Sequence, residues 1–265
     1  MKKKRNYNLI IGCAITGTVL LLGITGLFWT PYSTTGMSVA LKFSPPSLSH
    51  IFGCDNYGRD IFSRVMQGTG TTFLVSAVTV LFGMVVGSAI GFLAGYTGGW
   101  FDEAVMRVSD MLNAFPTILL ALVFVSFSGS GLMNIILALG IMFIPSFARI
   151  ARSEMLRLKG QQFVQSAMLS KAGPMRIIFA HIMPNAYATI LASAAVGFNN
   201  AVIAEAGLSF LGLGVQPPDA SLGRMIKEAA NYLVQAPWYA VFPGITIIVL
   251  VLGVSLISEG IGKNG

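Results

Sequence analysis

The chain has 265 residues, 54% hydrophobic and only 10% charged, with a mean hydropathy of +0.75; soluble domains carry about 25% charged residues. This excludes a water-soluble enzyme or binding module and leaves an integral membrane protein. The formal net charge of +7 is assigned to basic loops held against an anionic membrane leaflet. No nucleic-acid partner is expected, because the cations are divided among loops with no binding motif.

Apolar runs near the roughly 20 residues of a spanning helix are predicted at 8–30, 71–95, 104–127, 132–150, 182–204 and 238–258. The fold class is all-α, a polytopic membrane protein of about six transmembrane helices. The first run follows MKKKR but is too long for a signal-peptide core, and no small-x-small cleavage site precedes WTPYS, so it is read as a retained helix. With both termini in the cytoplasm, Lys42, Arg59, Arg64, Arg224 and Lys227 fall outside, and the other 12 of the 17 Lys and Arg fall inside. That is the positive-inside bias.

Between the first two runs lies Cys54, too far from Cys13 in the first helix for a disulfide. An impermeant thiol reagent is expected to reach Cys54 and to spare Cys13. His50 and His181 fall on opposite sides, so no metal site is expected.

In the second run Gly83, Gly87, Gly91 and Gly95 recur every four residues, one face on which another backbone can approach closely. The third opens with FDEAVMRVSDMLNAFP, where Glu103, Arg107 and Asp110 share a face and neutralise one another. Intramembrane charge is costly unless paired or hydrated, so this face is expected to point into the bundle or an inner vestibule. Pro116 and Pro145 interrupt helices and mark movable segments. Arg107, Asp110, Asn113 and Pro116, with Asn199 and Asn200 in the fifth helix, are the candidate path or gate residues.

Between the fourth and fifth runs, RIARSEMLRLKGQQFVQSAMLSKAG mixes apolar and polar residues as short helices outside the bilayer do, and Ala172-Gly173-Pro174 stops the helix. A short helix presented between two spans suits a groove on another protein, or is a surface linker. The chain has no GxxxxGK[ST] phosphate loop, GxSxG elbow or HExxH pair. It is therefore read as non-enzymatic, with no cofactor of its own.

The segment from Gln162 to Asn185 resembles the cytoplasmic EAA loop of binding-protein-dependent ABC importer permeases, aligned on FVQSA and HIMPN. Gln162 stands where Glu is usual and Lys171 where Gly is usual, with Gly173 two places on. FGCDNYGRDIFSRVMQG and AEAGLSFLGLGVQPPDASLG are similar to signatures of the dipeptide, oligopeptide and nickel permease group, with Cys54 for the familiar Thr and Leu222 for Trp.

The resemblance implies a type I ABC importer permease fold and the second, C-type membrane subunit of a bacterial cytoplasmic-membrane importer. It divides the chain into an N-terminal helix with its outer loop (1–70) and a five-helix core (71–265) carrying a cytoplasmic coupling loop, 151–181. It implies that Gln162, Phe163, Gln165, Ser166, Ala167 and Gly173 meet an ATPase subunit, and that Asp55, Arg59, Asp60, Pro217 and Pro218 meet an extracytoplasmic substrate-binding protein. The other implied partners are a homologous second permease, membrane lipid, and two ATPase subunits that hold ATP and Mg. Peptides are the commonest cargo of the group, while LSKAG at 169–173 is similar to nickel permeases, so a di- or oligopeptide and a nickel or metal chelate both stand. The rival class is an ion-coupled secondary carrier, which needs no ATPase.

Overall fold

A computed structural model describes residues 7–262; Lys2, Lys3, Lys4, Arg5 and Lys263 of the charge count lie outside the described residues. Nine helices organise them: α1 (Tyr7–Phe28), α2 (Ile61–Thr97), α3 (Gly99–Asn113), α4 (Thr117–Ser128), α5 (Leu132–Lys159), α6 (Gln162–Leu169), α7 (Pro174–Leu211), α8 (Leu222–Ala229) and α9 (Trp238–Gly262). No strand occurs among the described residues, so the all-α class holds.

Five helices, α1, α2, α5, α7 and α9, are each long and apolar enough to cross a bilayer. The sixth expected span, 104–127, is not one straight helix: α3 and α4 meet at 88°. Pro116 is the cause, since proline has no N–H to continue the ladder and drives the residue before it out of the helical region. The chain closes α3 through Ala114 N–H to Asp110 O (3.0 Å) and starts α4 through Leu119 N–H to Pro116 O (2.9 Å).

α2 begins at Ile61, ahead of the expected 71, because Asp60 caps it: its carboxylate accepts the Ser63 N–H at 2.7 Å. α6 sits at one end of the bundle. The 38-residue α7 carries the chain to the other end, where α8 and the segment 31–60 are found.

The contact that sets the arrangement is α2 against α5. A Cβ on Gly91 would lie 2.1 Å from the Ala148 carbonyl oxygen, on Gly87 2.5 Å from that of Ile144, on Gly83 2.7 Å from Phe143 Cβ, and on Gly95 2.9 Å from Met155 Cβ. The four-residue glycine stripe therefore brings two backbones together, as expected. α1 uses the same device, Gly26 abutting the α2 backbone at Met66 and Gly12 abutting α9 at Gly253.

Sequence reading missed Glu205, which is fully buried in α7. Thr72 Oγ1 on α2 and Ser209 Oγ donate to its carboxyl at 3.0 and 2.7 Å, and the Leu222 N–H donates to the same Thr72 oxygen at 3.4 Å. Hydroxyl donors thus tie α2, α7 and the start of α8 together.

Gly91→Ala is expected to destabilise the chain by about 1–3 kcal/mol, since the added methyl has only α5 backbone to meet. Gly17→Ala, whose methyl meets nothing within 4 Å, should keep or raise the unfolding midpoint in detergent. Equal midpoints for the two variants would show that α2 and α5 are not in this contact.

Candidate functional site

Three places have functional geometry: the α6 end, a furrow along α5 and α7, and the α8 end. At the first, α6 is seated by Val164, fully buried in a cluster with Phe92, Ala151, Met155, Ile177 and Ile182. Gln162, Phe163, Gln165 and Ser166 are exposed and Ala167 is half-buried, so the expected coupling residues lie together on and around one projecting helix. Phe163 is 42% exposed and Leu169 86%, apolar surface that no described residue covers.

Gly173 is not the helix cap it was expected to be. The left-handed residue after α6 is Lys171, at φ 56°, whereas Gly173 is extended (φ −66°, ψ 158°) and leads into Pro174 at the first position of α7. A non-glycine side chain in that region costs roughly 1–2 kcal/mol.

Along α5 and α7 two adjoining cavities, of about 300 and 220 Å³, share Phe143, Ser146 and Asn200. Pro116 and Thr117, at the α3–α4 corner, close the first. Two expected path residues, Pro116 and Asn200, therefore meet. The others do not join them. Asn199, one residue or about 100° around α7 from Asn200, turns into the bundle and donates to Ser255 Oγ on α9 at 2.8 Å.

Arg107 pairs with Glu103 on its own helix, and Asp110 pairs across to Arg149 on α5 rather than with Arg107. These exposed side chains and Asn113 line neither cavity. Asp102, which the sequence did not single out, forks onto Arg152 at 2.8 and 2.6 Å and binds α3 to α5. Ser146 was also missed; its only signal was a hydroxyl next to Pro145 within an apolar run.

At the far end a charge network is enclosed within the chain. Glu228 of α8 accepts from Tyr239 Oη (2.8 Å), Arg59 (3.0 Å), Arg224 (3.0 Å) and Arg64 (3.1 Å). Asp55 accepts from Arg59 Nε at 2.6 Å and from the Tyr57 and Arg59 N–H groups. Burial opposes the Glu228 charge, but Arg64, the Tyr239 hydroxyl and Arg59 outweigh it and hold the carboxyl below its usual range.

Asp55, Arg59 and Asp60, expected on a docking surface, are instead buried, and each is spent on the chain itself. Asp60, besides capping α2, meets His50 Nδ1 at 2.9 Å. They shape this end rather than present it. Pro217 and Pro218 do stay exposed. Cys54 is buried as well, and burial followed by the Asp60 and Asp55 carboxylates pushes its thiol up to about 11. The expectation that it would label readily is therefore corrected.

Comparison with known proteins accounts for this combination. Residues 87–263 match the family model for the binding-protein-dependent transport system inner membrane component. The chain is 36% identical, over 97% of its length and 85% of the relative's, to the dipeptide transport system permease protein DppC of Alkalihalophilus pseudofirmus. It is 39% identical to the glutathione transport system permease protein GsiD of Pectobacterium atrosepticum, over 92% and 83% of the two chains.

Among solved structures, an inward-facing form of the MetNI methionine ABC transporter superposes with a TM-score of 0.64 at 20% identity, covering 76% of this chain and 95% of that one. That likeness speaks for the fold. By family match and by identity over nearly its whole length, the chain belongs to the binding-protein-dependent transport system inner membrane components, the permease subunits of ABC importers.

Proposed function

We propose that this chain is one of two membrane subunits of an importer for small peptides, driven by ATP hydrolysed on partner ATPase subunits that hold the nucleotide and Mg. The observation that carries the reading is α6, a short helix fixed to the bundle by buried Val164 while it presents Phe163 to a partner. Closure of the ATPases pushes on α6, and Val164 transmits the push to α5 and α7. The furrow containing Ser146 and Asn200 lies along those two helices and, faced by the second permease, forms the passage. The α6 end and both termini lie in the cytoplasm. The α8 end, with exposed Pro217 and Pro218, receives the substrate-binding protein.

Peptide cargo is supported by relatives named for dipeptide, glutathione and peptide transport. Uptake of labelled dipeptide by cells carrying this chain with its operon partners tests it. Nickel accumulation without peptide uptake would contradict the cargo, and uptake that survives loss of the ATPase subunits would favour an ion-coupled carrier.

Phe163→Asp and Ala167→Glu are expected to leave the protein in the membrane but reduce ATPase association at least tenfold, a loss of about 1.4 kcal/mol or more. Normal ATPase binding and uptake by both variants would rule out α6 as the coupling element.

Glu228→Gln should release the α8 end, because Arg59 and Arg64 then share the single charge of Asp55 and Arg224 loses its carboxylate; removing one member of a buried pair costs about 3–5 kcal/mol. The expected result is faster hydrogen exchange in residues 38–60 with the α2–α5 contact still protected. Acid should act in the same direction. The folded carboxyl titrates below its unfolded value, so its stabilisation is complete above the unfolded pKa and is lost as pH falls through the folded one. Unchanged exchange in the variant would mean that Glu228 does not hold this end.

A further inference from the structure

We propose that the cavity beside α6 is a receptor for a carboxylate on the ATPase subunit, so that this coupling surface is matched by charge as well as by shape. The proposal rests on the docking role of α6 given above and adds the chemistry of the partner's surface.

The cavity, of about 430 Å³, is lined by Phe163, Ser166, Ser170, Lys171, Arg176 and His181 among others, and polar atoms dominate its wall. Its arginine is distinguished by what it lacks. Among the described residues, Arg59, Arg64, Arg107, Arg149, Arg152, Arg157 and Arg224 each sit within ion-pair distance of a carboxylate. Arg176 is the remaining arginine and has none; Lys171 has none either. The sequence from Gly160 to His181 contains no Asp or Glu, and the nearest acid before it, Glu154, is already held by Arg157. The positive charge is therefore unanswered among the described residues.

Two cations border one cleft and, with the Ser166 hydroxyl in its wall, make a donor set for an anionic oxygen, while the Ser170 hydroxyl is given to the Ser166 carbonyl at 3.0 Å. Phe163 and Ala167, the shape-matching part of the α6 surface, line the same cleft. A partner seated on α6 thus brings its own side chains to Lys171 and Arg176. This continuity favours an ATPase carboxylate over a lipid headgroup.

The sequence departures have the same sign. Where the resembled loop has Glu, Gln162 removes an acid, and where it has Gly, Lys171 adds a base on a left-handed backbone (φ 56°) that glycine would adopt without strain. Lys171→Gly consequently deletes the charge while easing the fold, which makes it a variant that does not fail by misfolding.

The experiment measures binding of the ATPase subunits to this chain paired with its partner permease in nanodiscs of neutral lipid, at several salt concentrations. Lys171→Gly and Arg176→Gln are each expected to weaken association about tenfold at low ionic strength and to flatten its salt dependence, while Lys171→Arg keeps both as in the wild type. Phe163→Asp runs in parallel. If Phe163→Asp abolishes binding while Lys171→Gly and Arg176→Gln change neither affinity nor salt dependence, the charge match is wrong and the docking role stands. If none of the variants has an effect, the docking role falls and the proposal with it. If the cationic variants matter only after anionic lipid is added to the discs, the cleft holds a headgroup and the proposal is overturned.

Discussion

The close approach of α2 to α5 is the constraint from which the rest follows. Four glycines remove the side chains that would separate the helices, and the carbonyls of Ile144 and Ala148 occupy the space. In a bilayer, where lipid is as apolar as leucine, such backbone proximity supplies the dispersion contacts that burial supplies in water. Both ends of the molecule hang on this pair. α5 runs on through Met155 and Leu158 to the seat of Val164, while the other end of α2 is capped by Asp60 and carries Arg64 into the charge network. α3 is fastened to the same pair by Asp102 and Arg152.

The two ends are built from different chemistry, which fits the different tasks proposed for them. At the α6 end a small apolar seat holds a helix whose outer face is left exposed among the described residues, as the proposed coupling role requires. At the α8 end Asp55, Arg59, Arg64, Arg224 and Glu228 satisfy one another within the chain. Enclosed ion pairs add little net stability over an apolar replacement, but breaking one is expensive. Such a network therefore fixes the shape of the end more than it stabilises the fold. Glu205 extends that order into the bundle through Thr72 and Ser209.

Much of this was legible in the sequence wherever the signal is local. Hydropathy located the spans, four-residue spacing identified the glycine face, and the polar segment from Gln161 onward marked α6. What was illegible depends on partners distant along the chain. Asp55 and Arg59 read as docking residues of an outer loop until Glu228, 169 residues from Arg59, closes over them. Asp110 reads as a partner of Arg107 by helical spacing, yet the bend at Pro116 sets α3 across α5 and brings it to Arg149. Asn199 and Asn200 are adjacent in sequence, and only the rotation of α7 decides that one bonds Ser255 while the other borders the furrow. Lys171 took the left-handed turn that the glycine two residues on was expected to supply.

The central claim is that motion at α6 reaches the furrow, and Ser146→Cys tests it most directly in a Cys13→Ala background, where Cys54 is already shielded by burial. The rate at which an impermeant thiol reagent modifies the new cysteine is measured from each face of the membrane, without nucleotide and with the ATPases trapped in their ATP-bound state. Modification is expected from the α6 side without nucleotide and from the α8 side when ATP is trapped. Equal rates from the same side in both states would contradict it.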